Sequence, residues 1–286
     1  MRFTSLVTIT AFYFAGLIQA LPIQSRDISS LNGVTYTARN SDGSCQSAGQ
    51  VLASVKLMKA SGISNIRTYA QECNQLPNIL NAIESVGGGM TVLAAVWIDG
   101  TSNDDKEIST LKSVLSSTSN LGAIRGILVG NEVLFNGIMS SSELVNKVNK
   151  VKAIAKGIQV GSVEVDSTYS SDLVSASEIV CANIHPYFSS VSINGALDNV
   201  STRYNNFKKI AHGKQVYITE TGWPSSGSPS GDAVPSLANT QKFAAAISGS
   251  SLPYYFFEWQ DSNWKSSGVE SHFGLLYANG KTKFSI

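Results

Sequence analysis

Charge is scarce in this chain. Only 14% of its 286 residues are Asp, Glu, Lys or Arg, against about 25% in a typical soluble domain, and the formal net charge is +1. No basic patch or acidic run disturbs that balance, so neither nucleic acid nor an anionic membrane surface is an expected partner. Cysteine and histidine are limited to three residues each. There is no Cys-x-x-Cys pair, and His185, His212 and His272 are scattered, so no metal site is expected. The absence of a Gly-x-Ser-x-Gly elbow sets aside a secreted ester hydrolase. No long apolar run follows the first residues, which leaves no candidate membrane span in the body of the chain. Ser, Thr, Asn and Gly carry the polarity instead. Such a surface suits a neutral, hydroxyl-rich ligand, and equally an ordinary exported protein.

What is present begins with Met1-Arg2, an apolar stretch from Phe3 to Leu17, and Ile18-Gln19-Ala20 before Leu21-Pro22. This reads as a signal peptide over residues 1–20, with the mature domain at 21–286. Thr4, Ser5, Thr8 and Thr10 dilute the run below what an uncleaved anchor needs, and the polar end at 281–286 carries no glycolipid-anchor signal. The mature chain is expected to be exported, soluble and monomeric. In an oxidising compartment Cys45 and Cys73 could close a loop of about 28 residues, for which chain entropy gives ~3–4 kcal/mol. Cys181, inside Ile179-Val-Cys-Ala182, reads as a buried free thiol. Asn199-Val200-Ser201 is a glycosylation acceptor sequence on an expected surface stretch.

Short runs rich in Val, Ile, Tyr and Phe recur along the chain. They lie at Val34–Ala38, Ile63–Tyr69, Thr91–Ile98, Gly126–Gly130, Gln159–Val165, Ile179–His185, Gln215–Thr219 and Pro253–Trp259. Continuous apolar runs bounded by Gly, Asn or Pro suit strands buried on both faces of a parallel sheet. Helix-period segments separate them. Val51, Val55 and Met58 mark the first apolar face, with Gly62 as its stop; Leu144, Val148, Val151 and Ala155 mark another, opened by a capping box at Ser140 and Glu143. Eight such alternations over this length predict a single (β/α)8 TIM barrel, class α/β.

Function in that architecture gathers at the C-terminal ends of the strands. Ile127-Leu-Val-Gly-Asn131-Glu132 and Val216-Tyr-Ile-Thr-Glu220 each carry a glutamate directly after a buried-type run, on strands four and seven. Strands on opposite sides of the ring would set these carboxyls across one cleft. Two carboxyl groups across a cleft are what glycosidic-bond cleavage requires, one to protonate the leaving oxygen and one to attack the anomeric carbon. An isolated glutamate after a strand is more often a surface ion pair or a cap; two in matching positions are harder to explain that way.

Gly130-Asn131-Glu132 together with Thr219-Glu220-Thr-Gly-Trp-Pro-Ser225 resembles glycoside hydrolase family 17, the β-1,3-glucanases, and within it the fungal glucanases and glucanosyltransferases. The similarity covers nearly all of residues 21–286. It includes Asp42-Gly-Ser-Cys45, Glu72-Cys73-Asn74, Phe257-Glu258, Asn263-Trp264-Lys265 and His272-Phe-Gly-Leu275. The resemblance implies a retaining, endo-acting enzyme on β-1,3-glucan, secreted to the cell wall, working without a cofactor by hydrolysis or by transfer to another glucan. Glu220 would be the nucleophile, Glu132 the acid/base, and Asn131 the partner of the sugar 2-hydroxyl. Tyr187 would hold Glu220. Trp223 and Tyr36 would offer ring faces to sugar, or pack in the core. Glu258 and Lys265 would contact hydroxyls or pair with each other, and Trp97 and Asp99 are weaker candidates. The chain departs from the family at Gln260-Asp261-Ser262, where relatives commonly carry Phe-Asp-Glu, and the segment between strands five and six is short. A non-catalytic glucan-binding barrel is the rival reading, and the intact pair Glu132 and Glu220 speaks against it.

Overall fold

The structure, a computed structural model, describes residues 31–265 and 268–286. The expected leader at 1–20 lies outside the described residues. Eight parallel strands close into a barrel in chain order: Gly33–Thr35 (β1), Asn65–Arg67 (β2), Thr91–Val96 (β3), Ile124–Val129 (β4), Val160–Val165 (β5), Ile179–Asn183 (β6), Gln215–Thr221 (β7) and Tyr254–Phe256 (β8). The ring closes where Val34 pairs with Phe256. Among the described residues seven α-helices connect the strands: Ala48–Ala60 (α1), Gln75–Ser85 (α2), Asn103–Ser117 (α3), Ser141–Lys152 (α4), Ser171–Ala176 (α5), Ala196–Ile210 (α6) and Leu237–Ser248 (α7). Each predicted strand is present. The alternation stops short of an eighth helix: after β8 the described chain makes only a 3₁₀ turn at Val269–Ser271 before the tail.

Local chemistry explains the helix boundaries. Ser140 accepts from the backbone N–H of Glu143 while the Glu143 carboxylate accepts from Ser140, the reciprocal cap read from the sequence; Ser47 and Gln50 do the same for α1. Val51, Val55 and Met58 form the buried face of α1, and Leu144, Val148 and Val151 that of α4.

Alternation along the strands divides the apolar residues into two layers. Val92, Ala94 and Val96 face outward and pack with the helices, whereas Leu93, Ala95, Leu128, Val163, Cys181, Tyr217 and Tyr255 fill the barrel itself. Cys181 is free and buried there, as expected. Cys45 and Cys73 are bonded, with Cα atoms 5.2 Å apart, and join the loops that follow β1 and β2. Asn199 sits in the first turn of α6, half-buried, with its Oδ1 buried and unpartnered.

Candidate active site

Both motif glutamates stand at the C-terminal mouth of the barrel, and neither reaches it by simple alternation. On β7, Ile218 faces the helices and Tyr217 the interior, so Glu220 would face outward if the period of two held. The pairing slips there instead: Ala182 lies opposite Ile218, and Asn183 opposite Glu220, leaving Thr219 as an extra residue. A bulge of this kind re-aims the side chain that follows it, and Thr219 and Glu220 both reach the mouth. After β4 the backbone turns through Gly130, at φ 74°, and Glu132, at φ 55°. The left-handed region is open to glycine at no cost, but for glutamate it is strained. A Cβ on Gly130 would also collide with Val133.

A hydrogen-bonded network built from four strand ends joins the two carboxyls. Arg67, at the end of β2 and fully buried, donates from Nη1 to Glu220 Oε1 at 2.8 Å and from Nη2 to Asn131 Oδ1 at 2.8 Å. Its guanidinium lies 3.6 Å from the centre of the Tyr69 ring. Asn183, closing β6, donates to Glu132 Oε1 at 2.8 Å and to Asn131 Oδ1 at 3.1 Å, and its own Oδ1 accepts from Thr219. His185 Nε2 lies 3.2 Å from Glu220 Oε2. An ionised carboxylate can only accept, so Nε2 carries the proton. Edges of Phe188, Phe257 and Phe273 surround the imidazole and fix its plane.

The two carboxyls are driven in opposite directions. Glu132 is raised above the ordinary glutamate value, first by burial and then by the negative charge of Glu220. Burial alone would raise Glu220 as well, but the His185 hydrogen bond and the Arg67 charge outweigh it and hold Glu220 below its usual range. A pair separated in this way supplies an acid and an anion at the same pH.

Open space flanks the pair on both sides. A cleft of about 830 Å³ lies over the β1, β2, β3 and β8 ends, walled by Arg39, Tyr69, Trp97, Trp264 and Lys265. A second space of about 520 Å³ lies over the β4 to β6 ends, walled by Phe135, His185, Phe188 and Arg203. Glu132, Glu220 and Phe257 border both.

Several sequence expectations need correction. Tyr187 does not hold Glu220: beyond Pro186 the chain has left β6, and the Tyr187 hydroxyl donates to the Ser228 carbonyl. His185 takes that place because it keeps the inward parity of Cys181 and Asn183. Trp223 offers no ring face; it is 0% exposed, donates to the Val234 carbonyl at 3.0 Å and packs against Tyr187 and Phe243. Tyr36 is likewise core, its hydroxyl bonded to Gln46. Lys265 grips both oxygens of Glu258, at 2.9 and 2.8 Å, so of the two readings this pair has each other as partner, although Lys265 also borders the cleft. Asp99 caps its own turn through Thr101, whereas Trp97 lines the cleft. In the departing segment, Asp261 faces the buried Lys283 and Ser262 donates to Glu258. Arg67, Asn183 and His185 were not singled out from the sequence. Their signal differs from the one used for the glutamates: they are polar side chains on the inward parity of otherwise apolar strands.

With this geometry in view, the chain can be set beside known proteins. Residues 33–274 match the BtgE/BtgC glycoside hydrolase domain. The probable family 17 glucosidase SCW10 of Saccharomyces cerevisiae is 32% identical over 261 residues, which cover 87% of this chain and 65% of SCW10. The probable β-glucosidase btgE of Emericella nidulans is 29% identical over 262 residues, covering 85% of this chain and 46% of btgE. This chain therefore spans about half to two thirds of the length of these curated relatives. Among solved structures, a β-1,3-glucanosyltransferase of Rhizomucor miehei, determined as an active-site mutant with laminaritriose, superposes with a TM-score of 0.82 at 28% identity, covering 91% of this chain and 97% of that one. The fold, the paired carboxyls and the match over residues 33–274 agree: the chain belongs to the BtgE/BtgC glycoside hydrolase domain family, within glycoside hydrolase family 17.

Proposed function

We propose that this protein cleaves β-1,3-glucosidic bonds in glucan with retention of configuration, through a covalent glucosyl–enzyme on Glu220. The observation that carries the reading is the opposed setting of Glu132 and Glu220 in one cleft that continues to both sides. Glu220, kept ionised by Arg67 and His185, attacks the anomeric carbon. Protonated Glu132 delivers its proton to the departing 3-oxygen, then removes one from the incoming acceptor, and the second inversion restores β. A carboxyl held above its ordinary value suits a group that must alternate between acid and base. Asn131 meets the 2-hydroxyl of the attacked sugar. Arg67 and Asn183 both donate to its Oδ1, which leaves the amide NH2 as the end facing a ligand.

The acceptor is water or another glucan hydroxyl. The open space on the far side of the pair and the likeness to the Rhizomucor miehei transferase favour transfer to glucan. Export to the cell wall fits the Cys45–Cys73 bond, since disulfides persist in oxidising compartments. Incubation with laminaripentaose tests the reading. The wild type should give oligosaccharides longer than the donor, and Glu220→Gln should lose turnover by several orders of magnitude while still binding polysaccharide. A slow fluorinated donor should leave its glycosyl group on the peptide containing Glu220. Full turnover in Glu220→Gln overturns the nucleophile assignment, and products only shorter than the donor leave hydrolysis alone.

A further inference from the structure

The carboxylate of Glu164 takes part in no step described above, yet it is 0% exposed on β5. Its neighbour Val163 belongs to the barrel interior, so alternation turns Glu164 to the outer layer, beneath the loop that joins β4 to α4. There it accepts from two consecutive backbone amides, Leu134 N at 2.9 Å through Oε1 and Phe135 N at 3.1 Å through Oε2. Among the described residues no cation pairs with it. Burial raises its pKa and the two amide hydrogen bonds lower it, with the charge of Glu132 a further raising influence. An unpaired buried carboxylate is costly unless its bonds accomplish something specific.

Those bonds fall on the turn that carries Glu132. The Glu132 backbone adopts φ 55°, which persists only where the surroundings over-determine it. Val163 and Glu164 provide that constraint from β5: the Val163 carbonyl accepts from Glu132 N at 2.8 Å, and the Glu164 carboxylate holds the amides of Leu134 and Phe135. The loop closes on itself through Asn136 N to Glu132 O and Ile138 N to Val133 O. Resting on the acid/base reading of Glu132, we propose that Glu164 is a positioning residue for that acid, acting through the turn at 132–135 and touching no substrate. The fork of two carboxylate oxygens fixes the left-handed backbone, and the backbone fixes the direction in which Glu132 presents its proton.

This role differs from general support of the fold because it concerns only the proton given to the leaving group. Activity is to be measured on aryl β-laminaribiosides whose phenols range from strongly to weakly acidic, in wild type, Glu164→Gln, Glu164→Asp and Glu132→Ala. A glutamine accepts through one oxygen and turns its NH2 toward the other amide; aspartate keeps the charge but withdraws it by one methylene. Glu164→Gln should lower kcat/KM by ~10–100-fold for laminari-oligosaccharides and the least acidic phenol, and by no more than about three-fold for the dinitrophenyl substrate, which needs no protonation. Glu164→Asp should show the same slope at smaller amplitude, and it keeps the test open if the glutamine variant does not fold. Equal losses along the whole series, or none, overturn the inference. If Glu132→Ala itself gives equal losses, the acid assignment falls and the inference with it. A sloped Glu132→Ala series beside a flat Glu164 series overturns the inference alone.

Discussion

Glu132 and Glu220 share one intrinsic acidity; the His185 hydrogen bond and the Arg67 charge hold Glu220 down against its burial, while burial and the negative charge of Glu220 raise Glu132. Under the proposed retaining mechanism Glu220 must be ionised, so activity should rise with pH through the Glu220 value, and Glu132 must be protonated, so activity should fall as pH rises through the Glu132 value. His185→Phe removes a hydrogen bond that lowers Glu220, so the acid limb of the kcat/KM profile should move to higher pH and the active window should narrow. Asn183→Ala removes a hydrogen bond that lowers Glu132, so the alkaline limb should move to higher pH. Limbs that stay in place in both variants would show that other groups set the profile. The glutamates themselves were legible because a charged residue directly after a buried run is conspicuous. The partners were less so: Arg67 and Asn183 look like ordinary strand ends until the ring closes and brings β2, β4, β6 and β7 to one mouth.

The loops after β1, β2 and β8 form one wall of the larger cleft. The Cys45–Cys73 bond joins the first two, the Arg39–Glu72 ion pair reinforces the join, and the Arg39 guanidinium lies 5.8 Å from the centre of the Trp264 ring in the third. Replacing both cysteines with serine should lower Tm by roughly 10 °C, from a loop-entropy contribution of ~3–4 kcal/mol in a domain of this size. Because these loops carry cleft residues and neither Glu132 nor Glu220, KM for laminari-oligosaccharides should rise more than kcat falls under the proposed function. A fall in kcat at constant KM would contradict that division. At the same scale Gly222, in the Thr-Glu-Thr-Gly-Trp motif, has a steric reason: a Cβ there would collide with the Phe257 carbonyl oxygen where β7 meets β8. The motif was readable, but why Trp223 belongs to it was not. Its ring faces Tyr187 and Phe243 from other elements, and residue type alone does not separate a core tryptophan from a sugar platform.

Across the whole molecule, buried carboxyls dominate the pH response. Glu107, Glu132, Glu164, Glu258 and Asp261 are all raised, each by burial first, and Glu258 reaches about 7. A carboxyl whose folded value exceeds its unfolded one contributes stability that is fully present below the unfolded value and is lost as pH rises through the folded value. Glu220, held low, acts in the opposite sense: its contribution is present above the unfolded value and lost as pH falls. Among the described residues, five raised carboxyls against one buried carboxyl held low predict a higher Tm near pH 5 than near pH 7. Glu258→Gln should flatten the upper part of that slope. A Tm that rises steadily from pH 5 to 7 would refute it. Composition and periodicity by themselves determined the barrel, its eight strands, the apolar faces of α1 and α4, the cap that opens α4, and the two glutamates, because these follow from local spacing and from where apolar runs end. Only the tertiary structure decided that the β7 bulge aims Glu220 inward, that His185 and not Tyr187 holds it, that Trp223 and Tyr36 are core, and that Glu258 binds Lys265. Each depends on register between strands and on contacts between elements far apart in the chain, and a one-residue slip in either reverses the face a side chain presents.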